Sequence, residues 1–333
     1  MSISKRFGEH EIIDAIWKNL DVMPKMSVPF GDDVSAVEIG RGDFIALKTD
    51  MLVDKTDVPH GMSLWQASRK AVVMNVSDFA AKGVKPIAML VSLGLPKKLA
   101  TEKNAEQIGK GLNAGAREYG TYVIGGDTNE SSDLVISISL FGTAKKNTLM
   151  LRSGANPGDL VAVTGFFGKT SAGLKILLEN LEASGKIRRA LVDSVLMPNA
   201  RLKGGLALSQ TKAVTASIDS SDGLAWSLYE IAKASNVGFV INSLPTAEEV
   251  KRFAEMNRID QLELTLYGGE EYELVLTIKP KLWNKAEKAI ERVGGKLLPI
   301  GKATAGKQVL LEIDGKRNII EPRGWEHFKR VKV

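Results

Sequence analysis

Two aspartates three residues apart, Asp219 and Asp222, stand between an apolar run at 213–216 and an amphipathic segment at 224–234. The junction of a strand end and a helix start is a natural ligand site, because backbone polar groups are free there. Carboxylates in this position can cap the helix, bind a hard cation through oxygen, or do both. By itself the pair favours capping, since aspartate is a preferred N-cap residue. The metal interpretation therefore depends on carboxylates elsewhere in the chain.

Four more aspartates occupy comparable positions. Asp50 follows the apolar strand 44–47, and Asp78 lies in a predicted helix whose segment 71–81 is apolar nearly all round. Such a segment is expected to be buried, and an unpaired buried charge costs several kcal/mol, so Asp78 needs a cation or several donors. Asn75, one turn earlier, could share that role. The other two aspartates are Asp33, after Gly31 and Asp32, and Asp127, after Gly125 and Gly126; a plain turn is the alternative for both.

The residue types that are rare or absent narrow the chemistry. The chain has no cysteine, and its three histidines, His10, His60 and His327, are far apart in sequence and flanked by no partner motif. Cysteine nucleophiles, zinc helices and Ser-His-Asp sets therefore have no support. Oxygen-only carboxylate sites favour Mg²⁺, which commonly binds through carboxylates together with substrate phosphates. The aspartates therefore predict phosphoryl transfer from a nucleotide.

The length and net charge of the chain indicate its domain organisation and its kinds of partner. The chain of 333 residues exceeds the size at which one core stops growing, so two domains are expected. Its net charge of +6 would favour phosphorylated substrates, but the basic residues form no run of five, so we predict no nucleic-acid partner. We find no export signal and no run of 18 apolar residues, and so predict a cytoplasmic protein without membrane contact.

Two glycine-containing loops are further candidates for ligand binding. The loop 165–171 suggests a P-loop, but Val163 stands where the first glycine is required, so Lys169 is not predicted to bind phosphate. The glycine pair 268–269 precedes the acidic segment 270–273. An acidic cluster carried on two glycines is more typical of a substrate or metal loop than of a solvated surface.

The first half reads as a strand-rich α+β unit. A capping box at Ser63 and Gln66 opens a helix that Gly83 ends, and a second helix covers 101–119. A short amphipathic helix is predicted at 7–20. Strands are predicted at 34–39, 44–47, 85–95, 122–124 and 134–141, with the Gly125-Gly126-Asp127 segment as a loop after the fourth.

A turn-rich joint at 145–158 divides this unit from the second half, so we predict domains at 1–148 and 149–333. The second half alternates strands and helices and is expected to form an α/β layer. Its predicted helices are 224–234, 246–257 with Thr246 as N-cap, and 281–293, and its predicted strands are near 160–164, 238–243, 274–278, 297–300 and 309–313.

Eight short motifs occur in order along residues 7–328, each common alone but specific in combination. They are Gly31-Asp32-Asp33, Thr49-Asp50, Asn75-Val76-Ser77-Asp78, Gly125-Gly126-Asp127-Thr128, Arg152-Ser153-Gly154, Ile218-Asp219-Ser220-Ser221-Asp222-Gly223, Gly268-Gly269-Glu270-Glu271-Tyr272-Glu273-Leu274 and Gly324-Trp325-Glu326-His327-Phe328. In this combination the chain resembles the thiamine-monophosphate kinases.

The resemblance implies ATP-dependent phosphorylation of thiamine monophosphate to thiamine diphosphate, with several Mg²⁺ ions and no covalent nucleophile. It also implies the two-domain PurM-like fold of aminoimidazole ribonucleotide synthetase. In that fold an N-terminal α+β domain, which binds ATP and metal, dimerises through its sheet, and a C-terminal α/β domain packs on it. A homodimer is therefore expected.

The resemblance also implies the roles of particular residues. Trp325 in a substrate-binding role is physically reasonable, because a flat cationic ring can stack on an indole. The implied metal ligands are Asp33, Thr49, Asp50, Asp78, Asp127, Asp219 and Asp222, the implied ATP contacts are Gly126, Asp127, Arg152 and Ser221, and the implied substrate contacts are Asp57, Glu270 and Trp325.

Two positions depart from the family pattern. Lys48 stands where bacterial members often have Ser or Thr, at a position that can touch a metal. Asp57 stands where some members have a substrate-contacting histidine, with His60 three residues later. If the carboxylates of both halves share one site, the active site lies in the cleft between the domains, and Asp222 can still cap its helix.

Two alternative functions are distinguishable. Aminoimidazole ribonucleotide synthetase, a relative of the same fold, closes an imidazole ring instead of phosphorylating thiamine monophosphate. A non-catalytic nucleotide sensor would bind ATP without releasing ADP. Selenophosphate synthetase and the hydrogenase-maturation branch depend on cysteine or selenocysteine, which the absence of cysteine argues against.

Overall fold

The computed structural model describes residues 7–24 and 26–328, which form two sheets that are both packed with helices. The N-terminal half contains the helices α1 (Glu9–Trp17), α2 (Asp54–Asp57), α3 (Leu64–Lys82) and α4 (Glu102–Glu118). Its strands are β1 (Ser35–Gly40), β2 (Asp43–Val53), β3 (Lys85–Leu95), β4 (Val123–Glu130) and β5 (Val135–Lys145).

The N-terminal sheet has the strand order β1-β2-β5-β3-β4. All neighbours pair antiparallel except β3 and β4, which are parallel and connected by the crossover helix α4. The alternation predicted for β5 is present, because Ile136, Ile138 and Leu140 are buried whereas Ser137 and Ser139 lie on the other face. Helix α3 covers one face of the sheet, and Leu47, Met51 and Leu90 on the opposite face are exposed among the residues that the structure describes.

The long helix α3 begins and ends as its sequence predicts. Ser63 Oγ accepts a hydrogen bond from Gln66 N at 3.2 Å, and Gln66 Oε1 accepts one from Ser63 N at 2.9 Å, which completes the capping box. Gly83 ends the helix in the left-handed conformation at φ 66°. From Ala67 onward the helix is buried apart from the half-buried Met74, as expected for a helix that is apolar nearly all round.

The C-terminal half is built on a mixed sheet in which most neighbouring strands are antiparallel. The strand order is β12-β11-β8-β10-β6-β9-β7, and only β11 and β8 pair in parallel. The strands are β6 (Leu160–Val163), β7 (Val214–Asp219), β8 (Gly238–Ile241), β9 (Leu274–Ile278), β10 (Leu298–Thr304), β11 (Val309–Ile313) and β12 (Lys316–Ile319). The helices are α5 (Lys169–Glu179), α6 (Gly185–Leu196), α7 (Leu202–Ser209), α8 (Leu224–Ser235), α9 (Glu248–Asn257), α10 (Gln261–Tyr267) and α11 (Trp283–Glu291).

One apolar core joins the two halves. Helix α3 packs against β2 and β5 on one side and against α7 and β7 on the other. Phe79 and Ala80 of α3 therefore belong to the same buried cluster as Leu208 and Leu276 of the C-terminal half. The polar residues near the end of α3 consequently face the end of β7.

Two predicted element boundaries are wrong. The helix predicted at 246–257 begins at Glu248 after Ala247, and Thr246 does not cap it; Thr246 Oγ1 instead lies 3.0 Å from Thr265 Oγ1. The strand predicted to end at Ile124 continues through the glycine pair to Glu130, because parallel pairing with β3 extends as far as Glu130. Within the described residues, no helix is long and apolar enough to cross a membrane.

Candidate active site

Three buried aspartates from three separate segments converge where α3 meets β7. Asp33 precedes β1, Asp78 lies on α3, and Asp219 is the last residue of β7. One carboxylate oxygen from each lies within 4.8 Å of the other two, and the residues are only 3%, 6% and 6% exposed. Like charges at this spacing repel strongly unless protons or cations neutralise them.

The carboxyl groups of Asp78 and Asp219 are poised to bind a cation. Burial raises the pKa of Asp219 to about 6, and the neighbouring Asp33 adds to the effect, although the Ser77 hydroxyl donates a hydrogen bond to Asp219 Oδ2 at 2.7 Å. Burial also raises the pKa of Asp78 well above its usual value, against the opposing charge of Lys48. A bound cation would favour the ionised forms of both groups.

Asp33 has the opposite electrostatic environment. Lys82 Nζ lies 2.9 Å from its Oδ2, and Arg152 Nε donates to its Oδ1 at 2.6 Å. Burial alone would raise the pKa of Asp33, but Lys82 and Arg152 lower it below its usual value. Lys82 is fully buried, and it also pairs with Asp32 and donates to the carbonyl oxygen of Ser217 at 2.6 Å. This ion-paired cluster fastens α3 to β7.

The cation beside Asp78 is Lys48, a contact that the sequence analysis did not identify. Lys48 Nζ lies 2.9 Å from Asp78 Oδ2, whereas Lys82, the only basic residue within one helical turn of Asp78, pairs with Asp32 and Asp33. Phe44, Ala46 and Leu52 alternate as buried residues along β2, so Lys48 and Asp50 point to that same helix-covered face. The period-2 pattern of β2 is the signal that could have placed Lys48 here.

Asp222 does not cap helix α8, so the capping interpretation is wrong for this residue. The N-cap is Gly223, whose φ of 113° and ψ of 156° are accessible to glycine almost alone, and no side chain caps this helix end. Burial, with the nearby acids Glu9 and Asp219, raises the pKa of Asp222 to about 7. The two aspartates of the opening motif therefore both lie in the site.

The loop 268–273 packs directly against the loop 219–223. Glu270 N donates to Ser221 O at 2.6 Å and Tyr272 N donates to Ser220 O at 3.0 Å. Glu270 and Tyr272 adopt left-handed φ values of 64° and 52°, conformations that cost energy for residues with side chains and are common at functional sites. The pairing holds Glu270 at the wall of a cavity between the two halves, which is described below.

Of the three glutamates in this loop, Glu270 lines the cavity, whereas Glu271 and Glu273 make structural contacts. Glu270 lines the cavity and pairs with Lys70 Nζ, which also donates to Asp57 O at 2.7 Å. Glu271 Oε1 accepts from Gly168 N at 2.7 Å and from Thr170 N at 3.1 Å, at the start of α5, and burial raises its pKa to about 7. Glu273 pairs with Arg201 and accepts from Thr164 Oγ1 at 2.7 Å.

A cavity of about 700 Å³ lies between the two halves, lined by Asp78, Asp219 and Glu270 among others, and its size is suited to a small-molecule ligand. Trp325 stands at its wall with 48% of its surface exposed, and its backbone N–H donates a hydrogen bond of 3.0 Å to Asp222 O. Asp57 also lines the cavity, although its Oδ2 accepts from Val53 N at 2.7 Å. The predicted site residues on this cavity are Asp50, Asp57, Asp78, Arg152, Asp219, Ser221, Asp222, Glu270 and Trp325.

Thr49, Gly126 and Asp127 lie apart from this cavity. Gly126 is in register with the buried Val91, on the helix-covered side of the N-terminal sheet, whereas Thr49 and Asp127 lie on its open side. Thr49 Oγ1 is 3.4 Å from Ser139 Oγ, and Asp127 is in register with Ser92, on that same face. Three strand spacings separate β2 from β4, and Asp127 is offset by two residues from the level of Thr49, so the two residues lie roughly 16 Å apart. Gly126 has a structural reason to be glycine, because a Cβ there would collide with the carbonyl oxygen of Val91.

The donor set around Asp33, Asp78 and Asp219 fits Mg²⁺. All candidate ligands are oxygens, as this ion prefers, and histidine and cysteine are absent from the cluster. Two further buried oxygens near these residues in the sequence, Asn75 Oδ1 and Ser220 Oγ, have no hydrogen-bond partner within the described part of the chain. A divalent ion would relieve both the repulsion between the carboxylates and their raised pKa values.

Comparisons with known proteins agree with this architecture. The chain matches the family AIR synthase related protein, N-terminal domain, over residues 31–144, and AIR synthase related protein, C-terminal domain, over residues 156–314. It is 39% identical to the thiamine-monophosphate kinase of Nitrosopumilus maritimus over 285 residues, covering 86% of this chain and 89% of the relative. It is 38% identical to the thiamine-monophosphate kinase of Pyrococcus horikoshii over 302 residues, covering 90% and 91%.

Among solved structures, AaThiL complexed with AMPPCP and TMP superimposes with a TM-score of 0.85 at 32% identity, covering 98% of this chain and all of that one. The predicted two-domain fold is thereby confirmed. These sequence identities and coverages are far higher than those expected of proteins that share only a fold. The chain therefore belongs to the AIR synthase related proteins, and within them to the thiamine-monophosphate kinases.

Proposed function

We propose that the protein transfers the γ-phosphoryl group of ATP to thiamine monophosphate and so forms thiamine diphosphate. The observation that carries this proposal is the convergence of buried carboxylates from both halves on one cavity that Trp325 also lines. Support comes from the solved relative that holds AMPPCP, an ATP analogue, together with TMP. A cytoplasmic location is part of the proposal, since ATP is available there.

Magnesium is the metal that the residues suit. Asp33, Asp78 and Asp219, with Asp50 and Asp222 beside them on the cavity, would hold the ions. When bound, Mg²⁺ neutralises phosphate charge and keeps the two anionic substrates together. The chain itself contributes orientation, because Ser77 and Arg152 fix Asp219 and Asp33 through hydrogen bonds of 2.7 and 2.6 Å. No nucleophilic side chain is required, since the substrate phosphate accepts the phosphoryl group directly.

The substrate and nucleotide contacts are proposals of the same kind. Trp325, Glu270 and Asp57 would hold thiamine monophosphate, with the exposed indole stacking on a flat cationic ring. Arg152 and Ser221 would contact ATP from the cavity side, Asp127 and Thr49 from the open face of the N-terminal sheet, and Gly126 through the backbone of strand β4. The domain boundary between residues 148 and 149 also stays a prediction.

A homodimer would cover the open sheet face. Leu47, Met51 and Leu90 are exposed there, with Val123 and Ile124 on the edge strand β4. Exposed apolar patches of this kind mark interaction sites. Because Thr49 and Asp127 share this face, a second protomer would enclose them. We expect a dimer by light scattering, and a monomer for Leu90→Glu but not for Ile319→Glu, an exposed position in the other sheet.

The direct test is to incubate the purified protein with ATP, Mg²⁺ and thiamine monophosphate and to separate the products by chromatography. We expect thiamine diphosphate and ADP in equal amounts, and neither when the metal is chelated. ADP without thiamine diphosphate, or no turnover with intact ATP binding, would contradict the proposal. Closure of an imidazole ring in a parallel assay would instead identify a synthetase activity.

A further inference from the structure

The carboxylate cluster contains cations of two kinds. Lys82 is fully buried, and its ammonium group has three partners, Asp32, Asp33 and Ser217 O, which match its three N–H donors. Lys48 instead lines the cavity with 22% of its side chain exposed, and Asp78 is its sole hydrogen-bond or ion-pair partner within residues 7–24 and 26–328. Lys82 therefore has a structural role, whereas Lys48 has N–H donors left for a ligand in the cavity.

Lys48 places a positive charge where a metal ion would otherwise be expected. Its ammonium group is attracted by Asp50 and Asp219 in addition to its direct partner Asp78. Asp78 Oδ2 accepts this contact at 2.9 Å, and the same residue supplies an oxygen to the buried triad. A divalent ion bound to that Oδ2 would lie against the ammonium group and be repelled by it. The two cations therefore compete for one side of Asp78.

We propose that the Lys48 ammonium group is a built-in cation that takes the place of one divalent ion at Asp78. The protein would then bind one metal ion fewer than a variant with a small hydroxyl residue at position 48. Lys48 lines the cavity, so the two N–H donors that Asp78 does not use can hydrogen-bond to phosphate oxygens there, in the place of metal coordination. This inference rests on the proposed magnesium site, which it refines.

The test is to count bound Mn²⁺ by electron paramagnetic resonance, with AMPPCP present and metal at saturation. The Lys48→Ser variant is expected to bind one Mn²⁺ per chain more than the native protein. Lys48→Arg, which keeps the charge, and Lys97→Ser, at a lysine whose side chain is 86% exposed, are expected to match the native count. An equal or lower count in Lys48→Ser overturns the inference. No Mn²⁺ in the native protein would instead contradict the magnesium site itself.

Thermal unfolding supplies a second readout that does not depend on activity. Without metal, Lys48→Ser leaves Asp78 without its cation, so its melting temperature is expected to fall and to rise more on adding Mn²⁺ than that of the native protein. Adding Asp78→Asn to the variant should remove this extra rise. If the serine variant does not fold, Lys48→Gln, of similar length and without charge, takes its place. The same metal-induced rise in native and variant proteins would overturn the inference.

Discussion

At the scale of single residues, the site depends on carboxylates that are kept from their usual ionisation. Asp78 and Asp219 are buried next to Asp33, and burial raises the pKa of both, whereas Lys82 and Arg152 lower the pKa of Asp33. Such a site stores electrostatic repulsion that cation binding relieves. Each aspartate therefore contributes to metal affinity more than an exposed carboxylate would.

Replacing Asp78 tests this directly. Asp78→Asn keeps the shape and removes the charge, so we expect turnover to fall by about 100-fold or more while the far-ultraviolet circular dichroism stays native. Lys48, which loses its partner, is partly exposed and can be hydrated. Asp193→Asn, at an exposed position on α6, is the matched control and should keep its activity. Near-native turnover in Asp78→Asn would remove this residue from the site.

Trp325 separates the two substrates. Trp325→Ala is expected to raise the KM for thiamine monophosphate about fivefold, because the loss of a stacked ring costs on the order of 1 kcal/mol, and to leave the KM for ATP unchanged. Trp325→Phe retains a ring and should lie between. Steady-state kinetics with each substrate varied in turn measure both constants. Parallel losses for the two substrates would contradict the stacking role.

From the sequence, the aspartates of the site could be identified more reliably than their ion-pair partners. The apolar surroundings of Asp78 indicated that it needs a cation, since local composition determines the depth of a helix. The identity of that cation depends on β2 packing beside α3, and Arg152 reaches Asp33 from 119 positions away. Pairings of this kind are set by tertiary structure, which local patterns do not contain. The strand period could have brought Lys48 to notice, but not its contact with Asp78.

At the scale of elements, some of the helix and strand ends around the site are determined by neighbouring residues in the sequence, and others by residues far away in the chain. Both ends of α3 follow from neighbouring residues, Ser63 with Gln66 and then Gly83, and its range was predicted closely. The extent of β4 depends on pairing with β3, and Asp222 is freed from capping because Gly223 takes the N-cap position. The sequence patterns therefore did not resolve two features: the pairing of strands that are distant in the sequence, and a backbone conformation that glycine adopts readily and other residues do not.

Gly223 is the element-scale test. Its φ of 113° is strained for any residue with a Cβ, which would also lie 3.1 Å from Leu266 O. Gly223→Ala is therefore expected to lower the free energy of unfolding by about 1–3 kcal/mol and to reduce turnover by shifting Asp222. Gly185→Ala, at the first position of α6 with open space around it, should change neither quantity. Denaturant unfolding and initial rates measure both; equal stability of the two variants would contradict the backbone assignment.

At the scale of the whole molecule, the site affects how stability depends on pH. The folded-state pKa values of Asp219 and Asp222, about 6 and about 7, exceed the usual value of 3.8. Between about pH 4 and pH 7 the folded state therefore binds more protons than the unfolded chain, so the free energy of unfolding from these groups rises as the pH falls through that window.

Without metal, we accordingly expect these two groups to make the protein more stable by about 4 kcal/mol between pH 8 and pH 5. Thermal or denaturant unfolding in a chelator measures this change. The double variant Asp219→Asn, Asp222→Asn should show a flatter profile. Stability that falls steadily from pH 8 to pH 5 in the native protein, or an unchanged slope in the double variant, would contradict the raised pKa values.

The apolar core that α3 shares with β7 and α7 has a consequence for how the chain folds. A fragment ending at residue 148 would expose the α3 residues that pack with Leu208 and Leu276, and would leave Lys82 without the carbonyl oxygen of Ser217. The predicted boundary would therefore separate the two sheets, but it would not separate two units that unfold independently. The two halves are expected to melt in one calorimetric transition, and neither should be recoverable as a separately expressed piece.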